Sequence, residues 1–141
     1  MSDLVVTCPK YFWADWIAEG DPAGTPESGQ EWDFGFGTVA KPPIAPGERL
    51  YIVCWGRLRG YAPVVRVAGG PGGWAIVRRG GAVAVTVDQE IKGFRGWRRP
   101  WWDRAIEVPF DRWKCAGVPP RMVEQIVRAG LPAGNIFRGV A

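Results

Sequence analysis

The residues best able to do chemistry lie between Lys92 and Trp113. Within that stretch, Lys92-Gly93-Phe94-Arg95-Gly96-Trp97-Arg98-Arg99-Pro100-Trp101-Trp102-Asp103-Arg104 interleaves four arginines with three tryptophans and a phenylalanine. The apolar residues are large and aromatic and cations fill the gaps, so neither a helical nor a strand period fits. Glycines and a proline punctuate the run, which predicts a shaped loop between strands. Indole faces beside planar guanidinium groups suit a flat, negatively charged partner such as a nucleotide or a single strand. The same residues also suit a structural role, with the indoles capping a small barrel and the arginines in water. Composition alone leaves both open.

The totals remove several alternatives. A chain of 141 residues is expected to be one domain with one core, residues 1–141, ending in a poorly patterned tail over residues 131–141. No apolar run approaches the length of a membrane span, and the N-terminus lacks a secretory pattern, so no membrane partner and a cytoplasmic location are expected. The three cysteines Cys8, Cys54 and Cys115 are far apart, form no C-x-x-C pair, and are accompanied by no histidine. Zinc ligation and histidine-based catalysis are thereby excluded, and buried free thiols are expected. No metal, cofactor or catalytic residue is assigned.

Charge is unevenly distributed. Residues 1–48 hold eight acids against Lys10 and Lys41, a net of −6, whereas residues 49–141 hold sixteen basic residues against six acids, a net of +10. Such polarity predicts an acidic and a basic face. Fourteen of the eighteen cations are arginine, the side chain suited to forked contacts with phosphate and to stacking on rings.

The elements that must position these residues are mostly strands. Leu4-Val5-Val6-Thr7 reads as a short strand. Pro9 then opens a helix in which Phe12, Trp13, Trp16 and Ile17 share one face, with Gly20 as its stop. Trp32, Phe34 and Phe36 alternate with Asp33 and Gly35, as in a strand with one apolar face. An extended connector from Lys41 to Glu48 ends in a Pro46-Gly47 turn. Arg49 to Trp55 is the clearest strand; Gly56-Arg57-Leu58-Arg59-Gly60 reverses or bulges it, and Tyr61 to Val67 returns. Pro63 marks that returning strand as an edge or as bulged. Trp74 to Arg79 and Ala82 to Val87 flank Gly80-Gly81, a two-residue hairpin signal. Glu107 to Phe110 is a last short strand, and Pro119-Pro120 opens a closing helix whose face is Met122, Val123, Ile126 and Val127.

Within this order, Pro46-Gly47-Glu48-Arg49-Leu50-Tyr51-Ile52-Val53, followed by Gly56-Arg57-Leu58-Arg59-Gly60-Tyr61-Ala62-Pro63-Val64, resembles a segment of the PUA-like superfamily, which includes the PUA, ASCH, EVE and YTH domains. Ile91-Lys92-Gly93-Phe94-Arg95-Gly96 falls where those domains carry a loop over the barrel. The resemblance covers about half of the chain. It implies an α+β fold: a small mixed, largely antiparallel β-barrel of five to seven strands with an N-terminal and a C-terminal helix. It also implies binding of RNA, or of modified bases held in aromatic cages. The ASCH pattern G-x-K-x-x-E-x-R is absent, since Gly20 to Glu31 holds no lysine or arginine, so no catalytic role is carried over.

The function expected is a nucleic-acid or nucleotide binding module. Arg95, Arg98, Arg99 and Arg104, with Arg57 and Arg59, would form a cationic rim. Trp97, Trp101, Trp102 and Tyr61, with Trp55, would stack on or cage a base, including a modified one. Two other classes remain. An enzyme without histidine would draw on Asp103 or Lys92, although Asp103 fits better as a partner that orients an arginine. A small adaptor or inhibitor binding another protein would use the same Trp/Arg surface, because those residues dominate interface hot spots.

Overall fold

A computed structural model describes residues 3–8, 31–37, 40–70 and 72–110. About half of these lie in strands. Six strands form one curled sheet: β1 (Leu4–Thr7), β2 (Trp32–Phe36), β3 (Arg49–Cys54), β4 (Arg57–Gly70), β5 (Gly73–Arg78) and, after a short β6 (Val85–Thr86), β7 (Trp97–Arg98). The order is β2-β5-β4-β3-β1-β7, while β6 pairs with β8 (Val108–Pro109) in a separate ribbon. Only β1 and β3 run parallel; the other pairs are antiparallel.

The expected α+β barrel is corrected on two counts. The described residues are mostly β and contain no α-helix, only a 3-10 turn at Arg104–Ile106. The expected helices, after Pro9 and after Pro119, lie outside the described residues, as does the tail at 131–141. The sheet is a half-barrel and not a closed barrel, with β2 and β7 as its two ends. No helix among the described residues is long and apolar enough to cross a membrane.

The curl originates in β4. Its first half, Arg57 to Pro63, pairs with β3, and its second half, Val64 to Gly70, pairs with β5. Each half carries a register shift, and a bulge bends a strand and increases its twist. Pro63 sits where β4 changes partner, so its missing N–H interrupts no ladder there. Ala45-Pro46-Gly47-Glu48 makes the expected turn: Gly47 has φ of 87°, and Glu48 N–H donates to the Ala45 carbonyl at 3.0 Å.

The Gly80-Gly81 hairpin does not form. β5 already has β4 on one side and β2 on the other, so residues 82–87 find no free edge beside it. They cross instead to the β3–β4 side, where Val83 exchanges both backbone hydrogen bonds with Tyr61, at 2.8 and 3.0 Å. Gly60 permits this approach, because a Cβ there would run into the Val83 carbonyl oxygen.

β1 and β3 are buried on both faces, as their nearly continuous apolar runs imply. Leu4, Val6, Leu50, Ile52 and Cys54 face one core cluster with Phe36, Ala62, Val64 and Ile76. Val5, Tyr51 and Val53 face a second cluster with Leu58, Val87 and Ile91, against which Tyr61, Phe94 and Trp102 pack. The aromatic-basic stretch therefore lies across the second face of the sheet, while its own residues Trp97–Arg98 pair with β1. Cys8 and Cys54 are buried; Cys115 lies outside the described residues.

Two of the acids in the first 48 residues are bound to arginines of the remainder; Asp15, Glu19, Asp21 and Glu27 lie outside the described residues. Glu31 takes a forked contact from Arg66, 2.7 Å on each oxygen, and a third from Arg79 at 2.7 Å. Asp3 accepts from the Arg49 backbone N–H at 2.9 Å and from Arg104 at 2.6 Å. Asp3 and Glu31 thus hold Arg49, Arg104, Arg66 and Arg79.

Candidate functional site

The stretch from Ile91 to Trp102 separates into inward and outward residues. Ile91 is buried, and Phe94 and Trp102 pack on the second core cluster. The Phe94 N–H donates to Thr7 Oγ1 at 3.1 Å, which anchors the loop to β1. Gly96, with φ of 70°, makes the turn that feeds β7. Trp97 and Trp101 face outward, 36% and 46% exposed. Such exposure is unusual for the largest apolar side chain, and an exposed large apolar group is the informative observation.

Cations neighbour these indoles in the chain, and one of them stacks on Trp97. The Arg98 guanidinium lies 4.4 Å from the Phe94 ring centroid, and that of Arg99 lies 5.6 Å from Trp97. Arg99 also donates to the Pro43 carbonyl at 3.3 Å. Among the described residues, Lys92, Arg95, Arg98 and Arg99 are all exposed and none forms a salt bridge. No acid occurs between Ile91 and Trp102. The result is an exposed edge strand and loop with two outward indoles, one near each face of the sheet, and four cations without a carboxylate partner among the described residues.

Trp102 is held differently. Its Nε1–H donates to Glu107 Oε2 at 2.8 Å, and the Tyr51 hydroxyl donates to the same oxygen at 2.6 Å. Arg49 Nη1 reaches Glu107 Oε1 at 3.3 Å and the Tyr51 hydroxyl oxygen at 3.0 Å. The Glu107 side chain is only 6% exposed, so three donors compensate a carboxylate taken out of water. Burial first, and then the bond to Glu107, push the Tyr51 phenol up to about 12. Tyr51 meets Trp102 edge-on at 5.3 Å and Tyr61 at 5.4 Å, and Arg49 stacks 4.0 Å over Tyr61. Trp101 in turn meets Trp102 edge-on at 5.0 Å and donates its Nε1–H to Gln89 Oε1 at 2.9 Å. The cluster around Glu107 is the footing on which the exposed Trp101 stands.

The sequence-derived candidates thus occupy different places. Arg95, Trp97, Arg98, Arg99 and Trp101 are all exposed along one stretch of chain, with Trp97 on the face of β7 opposite Arg98 and Phe94. Trp102 and Tyr61 lie in the packed cluster. Arg104 is exposed but bound to Asp3. Arg59 is fully buried and donates to the carbonyls of Cys54 and Trp55, at 2.7 and 3.3 Å, with its guanidinium 5.2 Å from the Phe110 ring. Arg57 lines a separate open groove of about 390 Å3 with Trp55, Gly56, Asp88, Gln89 and Glu90. Asp103 caps the 3-10 turn by accepting from the Ala105 N–H at 2.9 Å, and it is Asp3, not Asp103, that orients Arg104. Lys92 is exposed.

Sequence reasoning passed over Arg49, Glu107 and Gln89. Glu107 carried a weak signal: it is a lone acid directly before an apolar strand, close to three tryptophans. Gln89 carried none. No group of histidine, cysteine or acidic residues that could hold a metal occurs among the described residues. No known family, curated protein or solved structure matches the chain.

Proposed function

We propose that the protein binds single-stranded nucleic acid along the strip formed by Arg95, Trp97, Arg98, Arg99 and Trp101. The observation that carries this is the exposure of Trp97 and Trp101 in a stretch of chain whose exposed cations have no carboxylate partner among the described residues. Stacking of a base on an exposed indole is worth about 1–3 kcal/mol and accepts any base, while the cations follow the backbone. Duplex DNA hides its base faces, so outward indoles favour single strands or free nucleotides. The implied PUA-like resemblance of residues 46–64 points the same way. The packed Trp102–Tyr51–Tyr61 cluster favours an open stacking surface over an enclosed cage for a modified base. Cytoplasmic nucleic acid is the partner that suits the free thiols expected from the sequence.

The test is binding of short single-stranded oligonucleotides across a salt series. If all four cations Lys92, Arg95, Arg98 and Arg99 meet phosphates, the logarithm of affinity falls against the logarithm of salt with a slope of about −3, at about −0.7 per contact. No binding at low salt overturns the proposal. A protein partner is the second reading, favoured by the exposed apolar residues Val83, Ile106 and Val108. Recovery of a stoichiometric, nuclease-insensitive protein complex would support it.

A further inference from the structure

The hairpin joining β3 to β4 turns through Trp55 and Gly56, with φ of 55° and 72°. Left-handed geometry at both positions marks the primed two-residue turn, which favours Asn, Asp or Gly. A tryptophan there is a conformational outlier, and such strain concentrates at functional sites. Trp55 rests partly on the core, but a core can be filled from ordinary backbone geometry. What the strained position adds is an indole at the hairpin tip, where it walls the groove.

The opposite wall is Asp88-Gln89-Glu90. It is fixed to the hairpin by the Ile91 N–H, which donates to the Gly56 carbonyl at 2.8 Å. Arg57 also lines the groove; its guanidinium carbon lies 5.9 Å from the Phe110 ring, and among the described residues its buried Nε has no hydrogen-bond partner. The groove also adjoins the strip, because Gln89 is the side chain that accepts from Trp101 Nε1.

We propose that this groove is a guanine subsite of the single-strand surface, an inference that rests on the nucleic-acid function proposed above. Two carboxylates repel a phosphate but accept N–H donors. The lining therefore offers a flat apolar wall, paired acceptors and one guanidinium donor. Guanine is the base that presents two adjacent donors, N1–H and the exocyclic amino group, which one carboxylate can take together. Its O6 and N7 are acceptors suited to arginine. Adenine and cytosine offer one amino donor beside an acceptor, and uracil or thymine a single N–H between two acceptors. The backbone of the bound strand then runs from the groove past Trp101 onto the cationic strip.

The experiment compares a labelled all-thymine oligonucleotide with the same strand carrying one central guanine, and with one carrying hypoxanthine, which lacks the exocyclic amine. Fluorescence anisotropy at low salt should show on the order of a tenfold gain for guanine and a smaller gain for hypoxanthine. The variant Asp88→Asn/Glu90→Gln should lose the gain yet bind the thymine strand at least as well. Equal binding of the thymine and guanine strands, or a gain that survives in that variant, overturns the guanine subsite while leaving the strip intact. If no strand binds, the strip proposal fails, and guanosine monophosphate is titrated against adenosine monophosphate while the Trp55 indole N–H resonance is followed. A shift with guanosine monophosphate alone supports the subsite, and no shift or equal shifts overturn it.

Discussion

Replacing Glu107 by alanine tests the footing beneath the exposed indoles. The Glu107 carboxylate accepts from Tyr51 at 2.6 Å, from Trp102 at 2.8 Å and from Arg49 at 3.3 Å. Without it the buried Tyr51 hydroxyl has no acceptor, and such an orphaned group costs about 1–3 kcal/mol. Trp102 is half-buried and adds a smaller penalty, while Arg49, with a quarter of its side chain exposed, can turn towards water. The total is about 3 kcal/mol, which in a chain of this length lowers Tm by roughly 10 °C. Urea denaturation gives the free energy directly. A double-mutant cycle isolates the coupling: Tyr51→Phe should cost about 1–3 kcal/mol in the native background and restore about 1–3 kcal/mol once Glu107 is alanine, because it removes the orphaned hydroxyl. A loss below about 0.5 kcal/mol for Glu107→Ala, the range of ordinary surface substitutions, or an additive cycle, refutes the reasoning.

Two pH dependences follow from the same kind of contact. The forked contact with Arg66, reinforced by Arg79, holds the Glu31 carboxyl at about 2 against an ordinary 4.5. The folded-state value is depressed, so the stabilisation is complete above 4.5 and is lost as the pH falls towards 2. The protection factors of the Phe34 and Phe36 amides in β2, corrected for the intrinsic exchange rate at each pH, should fall across that window, and Glu31→Gln should flatten the fall; an unchanged profile in the variant contradicts the assignment. For Tyr51 the folded-state value is raised to about 12 from 10, so the neutral phenol stabilises the fold below pH 10 and the contribution is lost as the pH rises through 12. The tyrosinate absorbance that disappears in Tyr51→Phe should belong to the late part of the titration. An ionisation complete near pH 10 argues against burial of that hydroxyl.

Strand positions were legible in the sequence where period-2 alternation or a continuous apolar run reflected local geometry. Leu4–Thr7, Trp32–Phe36 and Arg49–Cys54 are examples, and Pro63 correctly marked an irregular place in β4. What local pattern could not show was which edge a strand would find free. Gly80-Gly81 has the chemistry of a hairpin turn, but β2 occupies the position the returning strand would need, and β2 lies over forty residues earlier in the chain. The same non-local pairing leaves the sheet as a half-barrel. At the candidate site, composition identified the stretch but not its two faces. Phe94 and Trp102 turn inward because Val87, Ile91 and Tyr51 meet them there, while Trp97 and Trp101 turn out. Arg59 looked like a surface cation in a turn. It is buried because a bulge in β4 directs it at the carbonyls that end β3. No sequence period encodes that bulge.

Trp97 and Trp101 keep exposed faces, on which the proposed function has bases stack. The most direct measurement is the affinity of a labelled single-stranded oligonucleotide at low salt for the native protein, for Trp97→Ala, for Trp101→Ala and for the double variant. Stability of each variant is checked by thermal denaturation. With stacking at about 1–3 kcal/mol per base, each single variant should bind about 5-fold to 150-fold more weakly, and the double variant more weakly still at unchanged Tm. Native-like affinity in the double variant, or a native protein that binds no strand at low salt, contradicts the account.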